Sequence, residues 1–181
     1  MLIETLKNHN IINRFICNEC SDNSISIEVD KNILPDDLLI IKVDDYYNSL
    51  NENRPKSPDC LIIQRCKENS YNIYIIELRN IDSPDGFTVA EIMEKFCTCL
   101  DNFMLERFGD IFYHEHFDYL IIKLYFVSDP YHHKRSPEKK DKMRGTKIDT
   151  LLAERIPKYF GKYIYIEHKP PPYTIGNCKT K

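Results

Sequence analysis

The stretch that decides the fold is residues 58–81, which read PDCLIIQRCKENSYNIYIIELRNI. A short apolar run from Cys60 to Cys66 and a longer run from Tyr71 to Ile81, rich in β-branched and aromatic residues, flank the polar segment 67–70. Strand-forming runs on either side of a polar turn are typical of a β-hairpin. The sequence therefore predicts two antiparallel strands joined by this turn.

Helix and strand patterns surround the hairpin. Apolar side chains recur at spacings of three and four from Thr88 to Phe108, which predicts the longest helix, and a similar pattern predicts an earlier helix over residues 34–50. Asp118 to Val127 is dense enough in apolar residues to form a buried strand. Further along, we expect a short helix from Lys147 to Glu154 and a last strand from Tyr163 to Glu167.

These elements predict an α/β fold with a mixed central β-sheet flanked by helices, since that arrangement buries their apolar faces. A further short strand is expected near residue 25, where polar and apolar residues alternate. No internal repeat or linker divides the 181 residues, so one domain is expected to span 1–181. Its core would cover 36–127, followed by a basic connection at 132–147 and a C-terminal helix and strand at 147–169.

The composition argues against membrane spans and secretion. The longest apolar runs fall far short of the roughly 20 residues that cross a bilayer, and Met1 is not followed by a basic region and an apolar core. We therefore expect a cytoplasmic protein with no membrane partner and with reduced thiols at its seven cysteines. Cys17 and Cys20 have the C-x-x-C spacing of a zinc site, but no second suitable pair follows, which favours two ordinary thiols.

Basic charge is concentrated in one segment. Residues 132–147 hold seven lysines and arginines against two acids, a local excess of +5, although the whole chain carries −3. Lysine and arginine neutralise phosphates and release counterions, so the segment predicts contact with nucleic acid. The alternative is a solvated loop. The candidate nucleic-acid-binding residues are Lys134, Arg135, Lys139, Lys140 and Arg144.

Three charged residues of the hairpin form a candidate site. Asp59 directly precedes the first strand, and Glu77 lies eighteen residues later on the returning strand, so the two fall roughly opposite each other. Arg79 shares a face with Glu77 because alternate residues of a strand point the same way. Two convergent carboxylates suit Mg²⁺, or Mn²⁺ in its place. Alternatively, Glu77 and Arg79 are solvent-side residues of an edge strand, and Asp59 caps a turn.

This arrangement resembles the PD-(D/E)xK nuclease superfamily over about residues 36–127. The similarity rests on Pro58-Asp59, on Glu77-Leu78-Arg79 and on the strong helix at 88–108. It implies a restriction-endonuclease-like core and Mg²⁺-dependent hydrolysis of phosphodiester bonds, with DNA as the expected substrate. A homodimer would allow both strands of a duplex to be cut.

Carried over from the superfamily, Asp59 and Glu77 would be metal ligands, and Arg79 would stand where the family has its lysine. An arginine can bind a phosphate or hold a water, but it stays charged and cannot take a proton. Two functions therefore remain open. The chain is either a metal-dependent endonuclease or a nuclease-fold relative that binds nucleic acid or protein without cutting.

Overall fold

The computed structural model describes residues 1–22, 25–51, 54–130 and 144–178. These residues form ten strands: β1 (Ile16–Cys17), β2 (Cys20–Asp22), β3 (Ile25–Val29), β4 (Leu38–Lys42), β5 (Cys60–Lys67), β6 (Ser70–Leu78), β7 (Asp118–Val127), β8 (Ile156–Tyr159), β9 (Lys162–Lys169) and β10 (Tyr173–Ile175). They also form five α-helices: α1 (Leu2–Asn8), α2 (Val43–Asn48), α3 (Val89–Cys97), α4 (Gly109–Phe112) and α5 (Lys147–Ala153). Two short 3₁₀ helices span Ile12–Phe15 and Pro35–Asp37, and a π-helical segment, Thr98–Arg107, continues α3.

Seven strands form one mixed sheet in the order β1-β4-β5-β6-β7-β9-β8. β5 and β6 pair antiparallel as the predicted hairpin, while β6, β7 and β9 run parallel to one another. β6 thus lies inside the sheet, between β5 and β7. The predicted α/β class with a mixed central sheet is confirmed.

The two faces of this sheet are covered differently. All five helices pack on one face, where side chains such as Ile75 on β6 and Phe96 on α3 belong to a single apolar cluster. A three-stranded sheet in the order β10-β3-β2 packs on the other face, against residues such as Ile62 and Ile76. Because side chains alternate along a strand, neighbouring residues of β6 face the two different layers.

Two disulfides attach the smaller sheet to β5. Cys20 of β2 is bonded to Cys60, and Cys178, three residues after β10, is bonded to Cys66. The expectation of seven reduced thiols is therefore wrong for four of the cysteines. It failed because both pairs are far apart in sequence and meet only when the two sheets pack together. Because the sulfur of Cys20 is bonded to that of Cys60, Cys20 has no thiolate to offer as a zinc ligand in the C-x-x-C motif.

The predicted helix over residues 34–50 is wrong in its first half. Leu38 to Lys42 form β4, which lies between β1 and β5; within the predicted segment only a single 3₁₀ turn, Pro35–Asp37, and α2 from Val43 to Asn48 are helical. Leu39 and Ile41 face the helical layer, whereas Ile40 faces the smaller sheet, and all three are buried. A strand that is covered on both faces is apolar at successive positions, which explains its confusion with a helix.

The remaining elements follow the sequence closely. The strand near residue 25, the helical segment predicted at 88–108 and the strand at 118–127 are confirmed, as are the C-terminal helix and strand. β1, β2, β8 and β10 were not predicted, since all four are short. The basic connection lies outside the described residues except for 144–147. Within the described residues, no helix is long and apolar enough to cross a membrane.

Candidate active site

Asp59 and Glu77 are brought together by the register of the hairpin. Cys60 is paired with Ile76, so Asp59, one residue earlier, stands opposite Glu77, one residue later. Both side chains point to the helical face of the sheet, because they alternate with residues that face the smaller sheet. The backbone N–H of Leu78 donates to Asp59 Oδ2 at 2.6 Å. The predicted cross-strand pair is therefore present.

Glu77 is the most deeply buried charged residue of the site, with no exposed surface. Its Oε1 atom accepts hydrogen bonds from Arg79 Nε and from Lys95 Nζ, both at 2.8 Å. Its Oε2 atom is buried and has no hydrogen-bond partner within the described residues. One carboxylate oxygen is thus held by two cations, and the other accepts no hydrogen bond from the described part of the chain.

These contacts contradict the alternative in which Glu77 and Arg79 lie on an edge strand facing solvent. β6 has neighbours on both sides, and beyond its end the Arg79 N–H still donates to the carbonyl of Val127 at 2.9 Å. The Arg79 guanidinium also donates to Glu91 Oε1 at 2.7 Å. Arg79 therefore bridges a buried carboxylate and a partly exposed one.

Lys95 is the functional candidate that the sequence did not reveal. It lies on α3, eighteen residues after Glu77, and its side chain is only 16% exposed. Glu91 and Lys95 are four residues apart and so share one face of the helix, and that face lies over the end of β6. The i, i+4 spacing was the available signal, but it is also common on ordinary solvated helix faces.

Asp44 is a second residue that the sequence did not reveal. It is the second residue of α2 and follows Val43, whose N–H donates to the backbone carbonyl of Asp59 at 3.1 Å. Its Oδ1 atom is buried and has no hydrogen-bond partner within the described residues. The incorrect helix prediction concealed this position. It placed Asp44 in the middle of a long helix, whereas Asp44 lies in the first turn of a short helix directly after β4.

Burial and mutual repulsion shift these carboxyl groups in one direction. Burial, followed by the negative charge of Asp59, raises the pKa of Glu77 to about 7 against the opposing effect of Lys95. The same two causes raise the pKa of Asp44 to about 6. Burial also raises the pKa of Asp59, although the Leu78 N–H opposes the shift. Three carboxyl groups thus accumulate near one another in surroundings that disfavour their charge.

The donor set fits a hard divalent cation of the Mg²⁺ type. Mg²⁺ is usually bound by one or two carboxylates, with water and substrate phosphate oxygens completing its coordination. Asp59 and the buried Oε2 of Glu77 are suitable oxygen donors, and a bound cation would offset the cost of burying them. In the described part of the chain, no three acidic, histidine or cysteine side chains form a ready-made metal cage.

One of the five candidate nucleic-acid-binding residues, Arg144, lies within the described residues. Lys134, Arg135, Lys139 and Lys140 lie outside the described residues, and Arg144 is exposed in the turn before α5. That turn is tied to the loop after β6, because the Lys147 N–H donates to Asp85 Oδ1 at 2.8 Å.

The chain leaves the large sheet after β7, at the end where the Arg79 N–H donates to the carbonyl of Val127. Comparison of the chain with protein-family models, with curated proteins and with solved structures found no match.

Proposed function

We propose that the protein is a metal-dependent nuclease that hydrolyses phosphodiester bonds, with DNA as its substrate. The observation that carries this function is the cross-strand pair of Asp59 and Glu77, buried on one face of the sheet. Two cations lie beside Glu77, and its Oε2 atom accepts no hydrogen bond from the residues that the structure describes. A buried carboxylate pair has a high energetic cost, which is accepted in proteins chiefly where the charges serve a function.

The order of elements adds support. A hairpin that carries both carboxylates, then a helix, then a strand parallel to the second hairpin strand, is the order expected of a restriction-endonuclease-like core. The described residues on either side of 131–143 lie near the same end of the sheet, since Arg79 contacts Val127 and Lys147 contacts Asp85 in the loop after β6. Its lysines and arginines would contact the phosphate backbone, and of these Arg144 is the one within the described residues.

Asp59 and Glu77 would hold Mg²⁺, or Mn²⁺ in its place, and the ion when bound would stabilise charge on the phosphoryl group. Arg79 can donate hydrogen bonds to a phosphate oxygen, but it stays charged and cannot accept the proton of an attacking water. Lys95 differs from Arg79 in that its ammonium is a compact point charge on a flexible stem, with three rotatable hydrogen-bond donors. We therefore assign the role of the superfamily's lysine to Lys95.

The test is a cleavage assay of four proteins on linear duplex, branched and single-stranded DNA with Mg²⁺ or Mn²⁺. Lys95→Met should lose activity on the order of 10²- to 10³-fold, as for the removal of one preorganised donor. Arg79→Lys should retain activity, because it keeps a cation beside Glu77. Asp59→Asn should be inactive and serves as the control for contaminating nuclease.

Two outcomes would contradict the proposal. Equal cleavage by wild type and Asp59→Asn would mean that the activity belongs to a contaminant. No cleavage by wild type on any substrate would favour the second function, a nuclease-fold protein that binds without cutting. The engagement of Arg79 by both Glu77 and Glu91 is the observation that favours this second function, since it leaves that guanidinium less free to bind a phosphate.

A further inference from the structure

A cleft of about 680 Å³ lies on the other face of the large sheet, away from Glu77. The start of β6 and β7 forms its floor, and the C-terminal segment around β10 forms one wall. The disulfide between Cys66 and Cys178 holds that wall in place. Clefts of this size are typical of sites for small molecules.

The floor of the cleft contains buried polar side chains where a sheet would ordinarily be apolar. Asn72 and Tyr74 line the cleft and are 7% and 6% exposed. Asn72 Nδ2 lies 3.3 Å from both Gln64 Oε1 and the Tyr74 hydroxyl, and the Tyr74 hydroxyl donates to Gln64 Oε1 at 3.2 Å. The three polar side chains are thus fixed relative to one another.

This network leaves one acceptor unused. Every hydrogen bond of the Asn72 side chain within the described residues involves Nδ2, so its Oδ1 accepts none there. The side chain is more than nine-tenths buried and borders the cleft. An amide in this position can hydrogen-bond the edge of a heteroaromatic ring, as asparagine does with nucleobases.

The remaining walls supply two further kinds of contact. Tyr173 and Ile121 add an aromatic and an aliphatic surface beside Tyr74, which suits a flat ring. Lys67 lies at the rim, is exposed, and forms no ion pair within the described residues. A cation at the mouth of a largely apolar cleft suits a ligand with an anionic group.

We propose that this cleft binds a small heteroaromatic anion of the mononucleotide type. Its ring would lie against Tyr74 and Tyr173 with its edge on the Asn72 amide, and its phosphate would contact Lys67. The site faces the opposite side of the sheet from Asp59 and Glu77, so it does not depend on the nuclease function. The ligand class follows from the volume of the cleft, the amide on its floor and the lysine at its rim.

The experiment is isothermal titration calorimetry of the whole oxidised protein with three probes: AMP, adenosine and inorganic phosphate. A chelator is present throughout, so that no metal-dependent binding at the carboxylate pair contributes. AMP should bind most tightly, adenosine should bind about five-fold more weakly, as expected for the loss of one exposed ion pair, and phosphate alone should not bind measurably.

Two variants assign the binding to the cleft. Lys67→Met is an exposed substitution that should reduce AMP affinity to that of adenosine and leave adenosine affinity unchanged. Lys31→Met, an exposed lysine outside the cleft, is the matched control and should bind AMP like wild type. Ile121→Trp should fill the cleft and abolish binding of both ligands, provided that its melting temperature shows it to be folded.

Several results would overturn the proposal. The first is failure of both AMP and adenosine to bind the folded wild-type protein. The second is phosphate binding as tightly as AMP, which would indicate an anion site without a ring pocket. The third is equal loss of AMP affinity in Lys67→Met and Lys31→Met, which would indicate general electrostatic attraction. Each can occur whether or not the protein cleaves DNA.

Discussion

Replacement of Lys95 by methionine tests the electrostatics of the candidate site directly. The substitution keeps most of the aliphatic stem and removes the ammonium that lies 2.8 Å from Glu77 Oε1. Glu77 then keeps a single cationic partner, Arg79, while its Oε2 atom still has no hydrogen bond within the described residues. The perturbation therefore leaves a fully buried carboxylate only partly compensated.

The magnitude follows from that geometry. Breaking a buried ion pair by removing one partner costs about 3–5 kcal/mol when the remaining charge is left uncompensated. Because Arg79 stays bonded to Glu77, we expect a smaller loss of unfolding free energy, about 2 kcal/mol near pH 8.5.

The loss should depend on pH with a definite sign. The pKa of Glu77 in the folded protein is about 7, above its ordinary value of 4.5, so ionisation of Glu77 opposes folding. Burial of Glu77 therefore costs the folded state least below pH 4.5, where the carboxyl group is protonated in both states. The unfolding free energy falls as the pH rises from there towards about 7. Without Lys95 the pKa of Glu77 in the folded protein rises further, so the pH range over which stability is lost extends to higher pH. The variant should thus differ little from wild type near pH 5 and most at alkaline pH.

Urea denaturation followed by circular dichroism at a series of pH values is the measurement. Lys56→Met is the matched control, since Lys56 is 53% exposed and lies 3.9 Å from Glu91 and Glu94. An exposed pair of this kind contributes between about 0 and 1 kcal/mol. If Lys95→Met were no more destabilising than Lys56→Met at alkaline pH, Lys95 would not compensate Glu77, and its assignment to the site would be wrong.

Three other predictions address the metal, the basic connection and the disulfides. Asp59→Asn and Asp59→Ala should both abolish Mg²⁺ and Mn²⁺ binding in calorimetry, and metal binding that survives in Asp59→Asn would contradict this. Only Asp59→Ala removes the acceptor of the buried Leu78 N–H, so its unfolding free energy should be about 1–3 kcal/mol lower than that of Asp59→Asn. Lys139→Ala combined with Lys140→Ala should flatten the slope of log affinity for duplex DNA against log salt by about 1.8, and an unchanged slope would reduce the segment to a solvated loop. Cys66→Ser combined with Cys178→Ser opens a loop of 112 residues and should lower the unfolding free energy by about 4–5 kcal/mol; an unchanged urea midpoint would argue that the bond contributes nothing.

The sequence predicted those parts of the fold that depend on local patterns. The hairpin, the helical segment after it and the strand at 118–127 all have a clear period and clear ends, and all are present. β4 was missed because a strand buried on both faces has no period of two, and its run of apolar residues also fits a helix. The disulfide partners of Cys60 and Cys66 could not be inferred, because they depend on how the smaller sheet packs on β5.

Some residues of the candidate site could likewise be predicted from local patterns, and others could not. Asp59 and Glu77 could be paired from sequence because the turn between them fixes the register of two adjacent strands. Arg79 could be placed beside Glu77 because residues two apart on a strand share a face. Lys95 and Asp44 reach the site from α3 and α2, and their approach depends on helix packing that no local pattern specifies.

The two cations beside Glu77 differ in what they can do, and that difference bears on function. Arg79 is held between two carboxylates and stays charged, so its contribution is limited to orientation and charge. Lys95 contacts the same oxygen of Glu77, whose own pKa lies near neutrality. The Lys95 ammonium, 2.8 Å from that oxygen, is a compact charge on a flexible stem and can also hold a water or a phosphate, whereas the Arg79 guanidinium is already engaged by two carboxylates. The charge beside Glu77 therefore does not depend on Arg79 alone, because a second cation reaches the same oxygen from the neighbouring helix.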